Sequence, residues 1–80
     1  MSVLHPGLFR PLSGVLPGTF VVLRRISAGR DLLSRLSAMG FVPGTTVEVR
    51  RNERHGPLLV AVKGDRIMLG RGMADKMMVE

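Results

Sequence analysis

The sequence contains no cysteine, tryptophan or tyrosine among its 80 residues. The absence of cysteine excludes a disulfide framework, a thiolate metal site and a cysteine nucleophile, and it agrees with a reducing compartment such as the cytoplasm. The absence of tryptophan and tyrosine argues against the usual aromatic groove for proline-rich peptides and against an aromatic platform for base stacking. Any partner must therefore be held by other kinds of side chain.

Long hydrophobic runs are also absent, and residues 1–16 are interrupted by Pro6, Gly7, Pro11 and Gly14. A signal peptide requires a continuous apolar segment after a basic one, so we expect neither a signal peptide nor a membrane span, and we expect a soluble, intracellular protein. A domain of this size buries only about 60 to 65% of its unfolded surface. A small core of this kind leaves little room for an enclosed enzyme cleft.

The sequence lacks recognisable catalytic motifs. It has no GxxxxGK[ST] phosphate-binding loop and suggests no Ser-His-Asp or paired-carboxylate arrangement. Glu53 and His55 alternate in a predicted hairpin loop and are weak candidates for binding a divalent metal, although a solvated turn is the commoner explanation of such a pair. We therefore expect a non-enzymatic protein with no cofactor.

Acidic residues are scarce: 6 stand against 12 basic residues, which gives a net charge of +6. Ten of the basic residues are arginine. A solvated basic face is the usual meaning of such a balance. The alternatives are an acidic protein partner, an anionic membrane surface and nucleic acid.

A short amphipathic helix is the clearest element that the sequence does contain. Leu32, Leu36 and Met39 recur at i, i+4 and i+7, which predicts a helix over residues 32–39 with one apolar stripe. Asp31 is the expected N-cap, because its carboxylate can accept hydrogen bonds from the first turn. Gly40 is expected to end the helix in a left-handed conformation.

A tight turn and a strand follow this helix. Pro43 and Gly44 suit the central positions of a type II turn, and Phe41 is expected to pack back on Leu36. Residues 46–50 then alternate between apolar and polar, as in a half-buried strand. Residues 16–25 and 42–51 are identical at six of ten positions, so the same Pro-Gly turn is expected to precede two strands.

The remaining pattern predicts a mainly β domain over residues 11–80, preceded by a flexible extension over residues 1–10. Ser13 is expected to cap a single helical turn over 14–16, and a second helical turn is predicted over 73–75. The first strand is expected to be buried on much of both faces, and a tight hairpin is expected to close through either Lys63-Gly64 or Gly64-Asp65. The predicted strands are 19–26, 46–50, 58–62, 66–69 and 76–79. Five short strands with one helix after the first favour a small barrel, since closure removes exposed edges.

The order of these motifs resembles the FeoA family of ferrous iron transport proteins over about residues 11–79. The resemblance implies an SH3-like barrel, a cytoplasmic location and a role beside FeoB, the membrane permease with a cytosolic GTPase domain. It implies no catalytic residue. The motifs that show it are Pro11-Leu12-Ser13, Leu16-Pro17-Gly18, Leu33-Ser34-Arg35-Leu36, Met39-Gly40-Phe41-Val42-Pro43-Gly44, Val47-Glu48-Val49 and the ending 74–79.

The resulting hypothesis is an accessory protein that regulates or assembles the FeoB permease and meets the membrane only through it. Self-association is left open. The candidate partner-binding residues are Arg30, Ser34, Arg35, Ala38 and Met73. The residues expected to support them structurally are Leu36, Gly40, Phe41, Pro43 and Gly44.

A small basic barrel that binds nucleic acid is the alternative hypothesis. The paired arginines Arg24-Arg25 and Arg50-Arg51 motivate it. The missing aromatic residues weaken it, because base stacking is a main source of affinity for single strands.

Overall fold

Strands form most of the regular structure in the computed structural model, which describes residues 8–80. Residues 1–7 of the predicted extension lie outside the described residues, whereas Arg10 pairs with Val79 in the sheet. The elements in chain order are β1 (Arg10–Pro11), a 3-10 helix (Leu12–Gly14), β2 (Phe20–Ile26), α1 (Arg30–Ala38), β3 (Thr46–Asn52), β4 (Leu58–Val62), β5 (Asp65–Leu69), α2 (Arg71–Ala74) and β6 (Met77–Val79).

The six strands form one antiparallel sheet in the order β1-β6-β2-β3-β4-β5. The predicted mainly β fold with an inserted helix is confirmed, with one more strand than the five expected. The additional strand is β1, which has only two residues and pairs with β6 at the other end of the described chain. Two residues are too few to show an alternating pattern, so the sequence did not predict it.

Strict alternation explains the central strands. Val47 and Val49 of β3 are buried. In β4 the first, third and fifth residues are buried, and these are Leu58, Val60 and Val62. β4 and β5 form a hairpin through Lys63 and Gly64, which both have positive φ, at 49° and 84°. Two such residues make the type I′ turn that matches the twist of paired strands.

Helix α1 begins at Arg30, two residues before the predicted start. Gly29 is its N-cap without a side-chain hydrogen bond, and Asp31 lies in the first turn, so the expected N-cap was wrong. Glycine is tolerated as an N-cap, and an acidic group in the first turn still complements the helix dipole. The helix therefore has two more polar residues, Arg30 and Asp31, ahead of its apolar stripe.

The same Pro-Gly turn precedes β2 and β3, as predicted. Gly18 and Gly44 have φ of 85° and 94°. In both turns the threonine N–H donates to the carbonyl three residues before it, at 3.3 Å in residues 16–19 and 3.1 Å in residues 42–45. This geometry is that of a type II turn, in which the glycine avoids steric cost.

One hydrophobic core lies beneath the sheet and helix, and it includes Leu12, Leu23, Leu36, Phe41 and Met77. Within residues 8–80, no helix is sufficiently long and apolar to span a membrane.

Two local predictions were wrong. β2 is buried on one face only: Val21 and Leu23 are buried, but Phe20 is 65% exposed because the other face of the strand meets solvent. Ser13 does not cap a following turn, since it lies inside the 3-10 helix. Its hydroxyl instead donates to the carboxylate of Asp75, beyond α2.

Candidate functional site

Four of the predicted partner-binding residues form one surface, which we call the outer face of α1: Arg30, Ser34, Arg35 and Ala38. All four are exposed. Residues 30, 34 and 38 follow the i, i+4 spacing that aligns side chains along a helix, and residue 35 lies beside them. Among residues 8–80, Arg30, Ser34 and Arg35 form no side-chain hydrogen bond or ion pair, so their polar groups meet solvent.

Met73 is not part of this surface. It lies in α2, which packs beside the 3-10 helix, and its half-buried side chain contacts the core. The methionines with large exposed fractions are Met39 at 40% and Met68 at 58%. Met39 directly follows α1. Its sequence spacing predicted a place in the apolar stripe, and it lies at the edge of that stripe.

The end of α1 is held by a double hydrogen bond beneath the outer face. Gly40, at φ 99°, donates its N–H to the Ser37 carbonyl at 3.0 Å, and Phe41 donates to the Leu36 carbonyl at 2.9 Å. This pattern is the Schellman motif. Leu36 and Phe41 are each 1% exposed, so the motif joins the helix end to the core.

The Pro43-Gly44 turn is tied to β2. The Gly44 N–H donates to the Leu23 carbonyl at 2.7 Å, and the Leu23 N–H donates to the Thr45 carbonyl at 2.9 Å. These bonds fix the segment after α1 against the sheet. The position of α1 is thus set from its carboxyl end.

A groove lies beside the outer face, between α1 and the end of β2. We call it the helix-strand groove; its volume is about 300 Å³, and it is lined by residues 24–26, residues 41–43, Leu33 and Ser37. The lining contains two arginines and no acidic residue. Sequence analysis missed this feature: the spacing places Leu33 beside the buried stripe, but its 38% exposure depends on how α1 packs against the sheet.

In each of the two arginine pairs, one arginine forms an ion pair and the other does not. Arg24 binds Glu80 at 2.6 Å, and Arg50 lies 3.4 Å from Glu48. Arg25 and Arg51 are exposed and form no ion pair within residues 8–80. The free positive charge is therefore smaller on each strand than the sequence suggested.

Arg71 forms a hydrogen-bond network that sequence analysis did not identify. Its guanidinium donates to Asn52 Oδ1 at 2.5 Å, to the Ser13 carbonyl at 3.2 Å and to the Gly56 carbonyl at 3.3 Å. It also donates to the Glu53 carbonyl. One side chain of α2 thereby joins the 3-10 helix to the loop between β3 and β4.

The weak metal candidates Glu53 and His55 both lie in that loop and are exposed. Over residues 8–80, no three or more histidine, aspartate and glutamate side chains lie close enough together to hold a metal ion. Arg71 contacts this loop through its hydrogen bonds to the Glu53 and Gly56 carbonyls.

Known proteins with the same architecture include iron transport proteins. The chain is 40% identical over 70 residues to a Methanocaldococcus jannaschii protein provisionally named Fe(2+) transport protein A, and the match covers 88% of this chain and 84% of that protein. A crystal structure of an iron uptake regulatory protein, FeoA, superposes with a TM-score of 0.85 at 33% identity. It covers 91% of this chain and 97% of its own.

A zinc complex of Stenotrophomonas maltophilia FeoA, described as an SH3 domain protein, superposes with a TM-score of 0.76 at 28% identity and 88% coverage of both chains. A role as a ferrous iron transport activating factor has been suggested for that protein. The FeoA domain family model matches residues 10–80. With this match and the SH3-like fold, the chain belongs to the FeoA family.

Proposed function

We propose that this protein is a cytoplasmic, non-enzymatic accessory of ferrous iron uptake that docks on the cytosolic part of a FeoB-type GTPase permease. Docking would regulate or assemble the transporter and hold the accessory at the membrane through its partner. Family membership and the names of the relatives support the iron transport role. Docking does not require the chain to self-associate.

The outer face of α1 is the observation that supports docking. Arg30 and Arg35 project from it without an ion-pair partner among the described residues. Two arginines against one exposed acidic residue on this side of the helix, Asp31, leave a positive balance that favours an acidic counterpart on the partner.

A rigid base supports this face. The Schellman motif and the Pro43-Gly44 turn hold α1 at its carboxyl end, and Leu36 is buried under it. A surface that is already ordered loses little side-chain and loop freedom on binding. Because surface charges mainly change the encounter rate, Arg35 is expected to speed association more than it slows dissociation.

Binding between the full chain and the isolated cytosolic GTPase domain of the permease tests this proposal, measured in each nucleotide state. Arg35→Glu should weaken binding, whereas Arg66→Glu, an equal charge change at an exposed position of β5, should leave it unchanged. Equal binding by the wild type and Arg35→Glu would remove the outer face from the proposal. Failure of the wild type to bind in every nucleotide state would contradict the docking itself.

Nucleic-acid binding, the alternative suggested by the arginine pairs, is not favoured. Arg24 and Arg50 are each engaged by a glutamate of the chain. The Methanocaldococcus jannaschii relative and the FeoA crystal structure are named for iron transport and iron uptake.

A further inference from the structure

We propose that the helix-strand groove binds an extended, acidic segment of a partner protein that inserts one bulky aliphatic side chain. The groove lies on the Leu33 and Ser37 side of α1, next to the outer face but lined by none of its residues. The inference therefore concerns a second surface, and it does not depend on which face meets the permease.

The floor of the groove is apolar. Phe41 is buried at its base, Ile26 and Val42 are half-buried, and Leu33 and Pro43 are exposed along it. A volume of about 300 Å³ is at the lower end of the range for ligand sites. Such a space suits a single anchoring side chain better than a large cofactor.

An incomplete strand pairing forms one wall. β3 pairs with β2 only at residues 20–22, whereas β6 pairs with Leu23, Arg25 and Ile26. On the β3 side of β2, the last backbone hydrogen bonds are those between Leu23 and the turn residues Gly44 and Thr45. Residues 24–26 therefore have no described strand paired with them on that side. An extended peptide can add itself to such a free edge through backbone hydrogen bonds.

The charge at the rim of the groove favours an acidic partner segment. Arg25 is exposed and unpaired within the described residues, Arg24 is engaged by Glu80, and the lining contains no carboxylate. A carboxylate beside the anchoring side chain would meet Arg25, whereas a basic segment would be repelled. The combination of an aliphatic floor, a free strand edge and an arginine rim therefore favours an acidic peptide with one aliphatic anchor.

Titration of the isotope-labelled full chain with the peptide Gly-Asp-Glu-Val-Leu-Asp-Glu-Gly, followed by amide NMR shifts, tests the inference without the permease. Saturable shifts are expected at the amides of residues 24–26, Phe41 and Val42. Replacing the acidic residues of the peptide with their amides, or its valine and leucine with serine, should weaken binding about tenfold or more. Because these changes are made in the peptide, the result does not depend on the folding of a variant.

Matched variants of the protein locate the site. Leu33→Ala is expected to weaken peptide binding about tenfold and Arg25→Glu about fivefold, while Leu16→Ala and Arg66→Glu stay within about twofold of wild type. No saturable shift at millimolar peptide, shifts outside the groove, or equal binding of the acidic and amide peptides would overturn the proposal. None of those results would bear on Arg35 and the permease domain, so the two proposals fail separately.

Discussion

Gly40 holds a backbone conformation that few other residues adopt at low cost. Its φ of 99° allows the chain to leave α1 and return Phe41 to the core. A Cβ at this position would meet Lys63 Cδ at 3.6 Å and Val62 Cγ2 at 3.9 Å, which are ordinary contacts. The need for glycine therefore comes from the backbone angle and not from crowding.

Gly40→Ala is expected to lower the free energy of unfolding by about 1 to 2 kcal/mol, the cost of a left-handed backbone for an L-residue with a side chain. Urea denaturation measures this loss of unfolding free energy. Gly72→Ala is the control, because Gly72 lies in α2 with negative φ and open space around it. An equal loss in both variants would show that the helix-ending conformation of Gly40 is not the cause.

Arg71 joins segments that are far apart in sequence, and Arg71→Lys tests this role. Lysine cannot reproduce the planar fork that reaches Asn52 and the Ser13, Glu53 and Gly56 carbonyls. The expected loss is about 1 to 3 kcal/mol of unfolding free energy. Arg66→Lys, at an exposed site without a side-chain bond in the described chain, should change stability by less than about 0.5 kcal/mol. Similar values for the two variants would show that the network contributes little.

Helix α1 has a buried side and an exposed side, and substitutions on the two sides should differ in their effect on stability. Leu36→Ala should cost about 2 to 5 kcal/mol, because it leaves a cavity in the core, and thermal or urea unfolding measures this loss. Leu33→Ala removes a side chain that is 38% exposed and should cost less than about 1 kcal/mol. A large loss of stability for Leu33→Ala would mean that this residue is a core residue, and its use as a probe of the groove would be invalid.

Elements with their own local pattern were predictable from the sequence. The alternation of β4, the Lys63-Gly64 hairpin, both Pro-Gly turns and the glycine that ends α1 each depend on a few adjacent residues. The structure contains all of them. Their order along the chain also allowed the family to be recognised.

Features that depend on long-range contacts were not predictable. β1 exists only because β6 pairs with it, and the Arg71 network joins Ser13, Asn52 and Gly56. Phe20 has the character of a core residue, but the sheet places it outward. The helix-strand groove likewise requires the position of α1 against β2, which no local pattern specifies.

The net charge of +6 acts through the whole surface and distinguishes the possible partners. If the protein bound nucleic acid through several phosphates, affinity would fall by orders of magnitude between about 50 and 200 mM salt. We expect weak binding to RNA or DNA at physiological salt, measured by filter retention or anisotropy. Tight, strongly salt-dependent binding would instead favour the basic-barrel alternative.

The association of the full chain with the permease's cytosolic GTPase domain, followed as a rate at several ionic strengths, tests the docking proposal. We predict a measurable complex whose association rate falls with added salt. Arg35→Glu should slow that association, and Arg66→Glu should leave it unchanged. The absence of a complex in every nucleotide state, or the same rates for wild type and Arg35→Glu, would contradict docking through the outer face of α1.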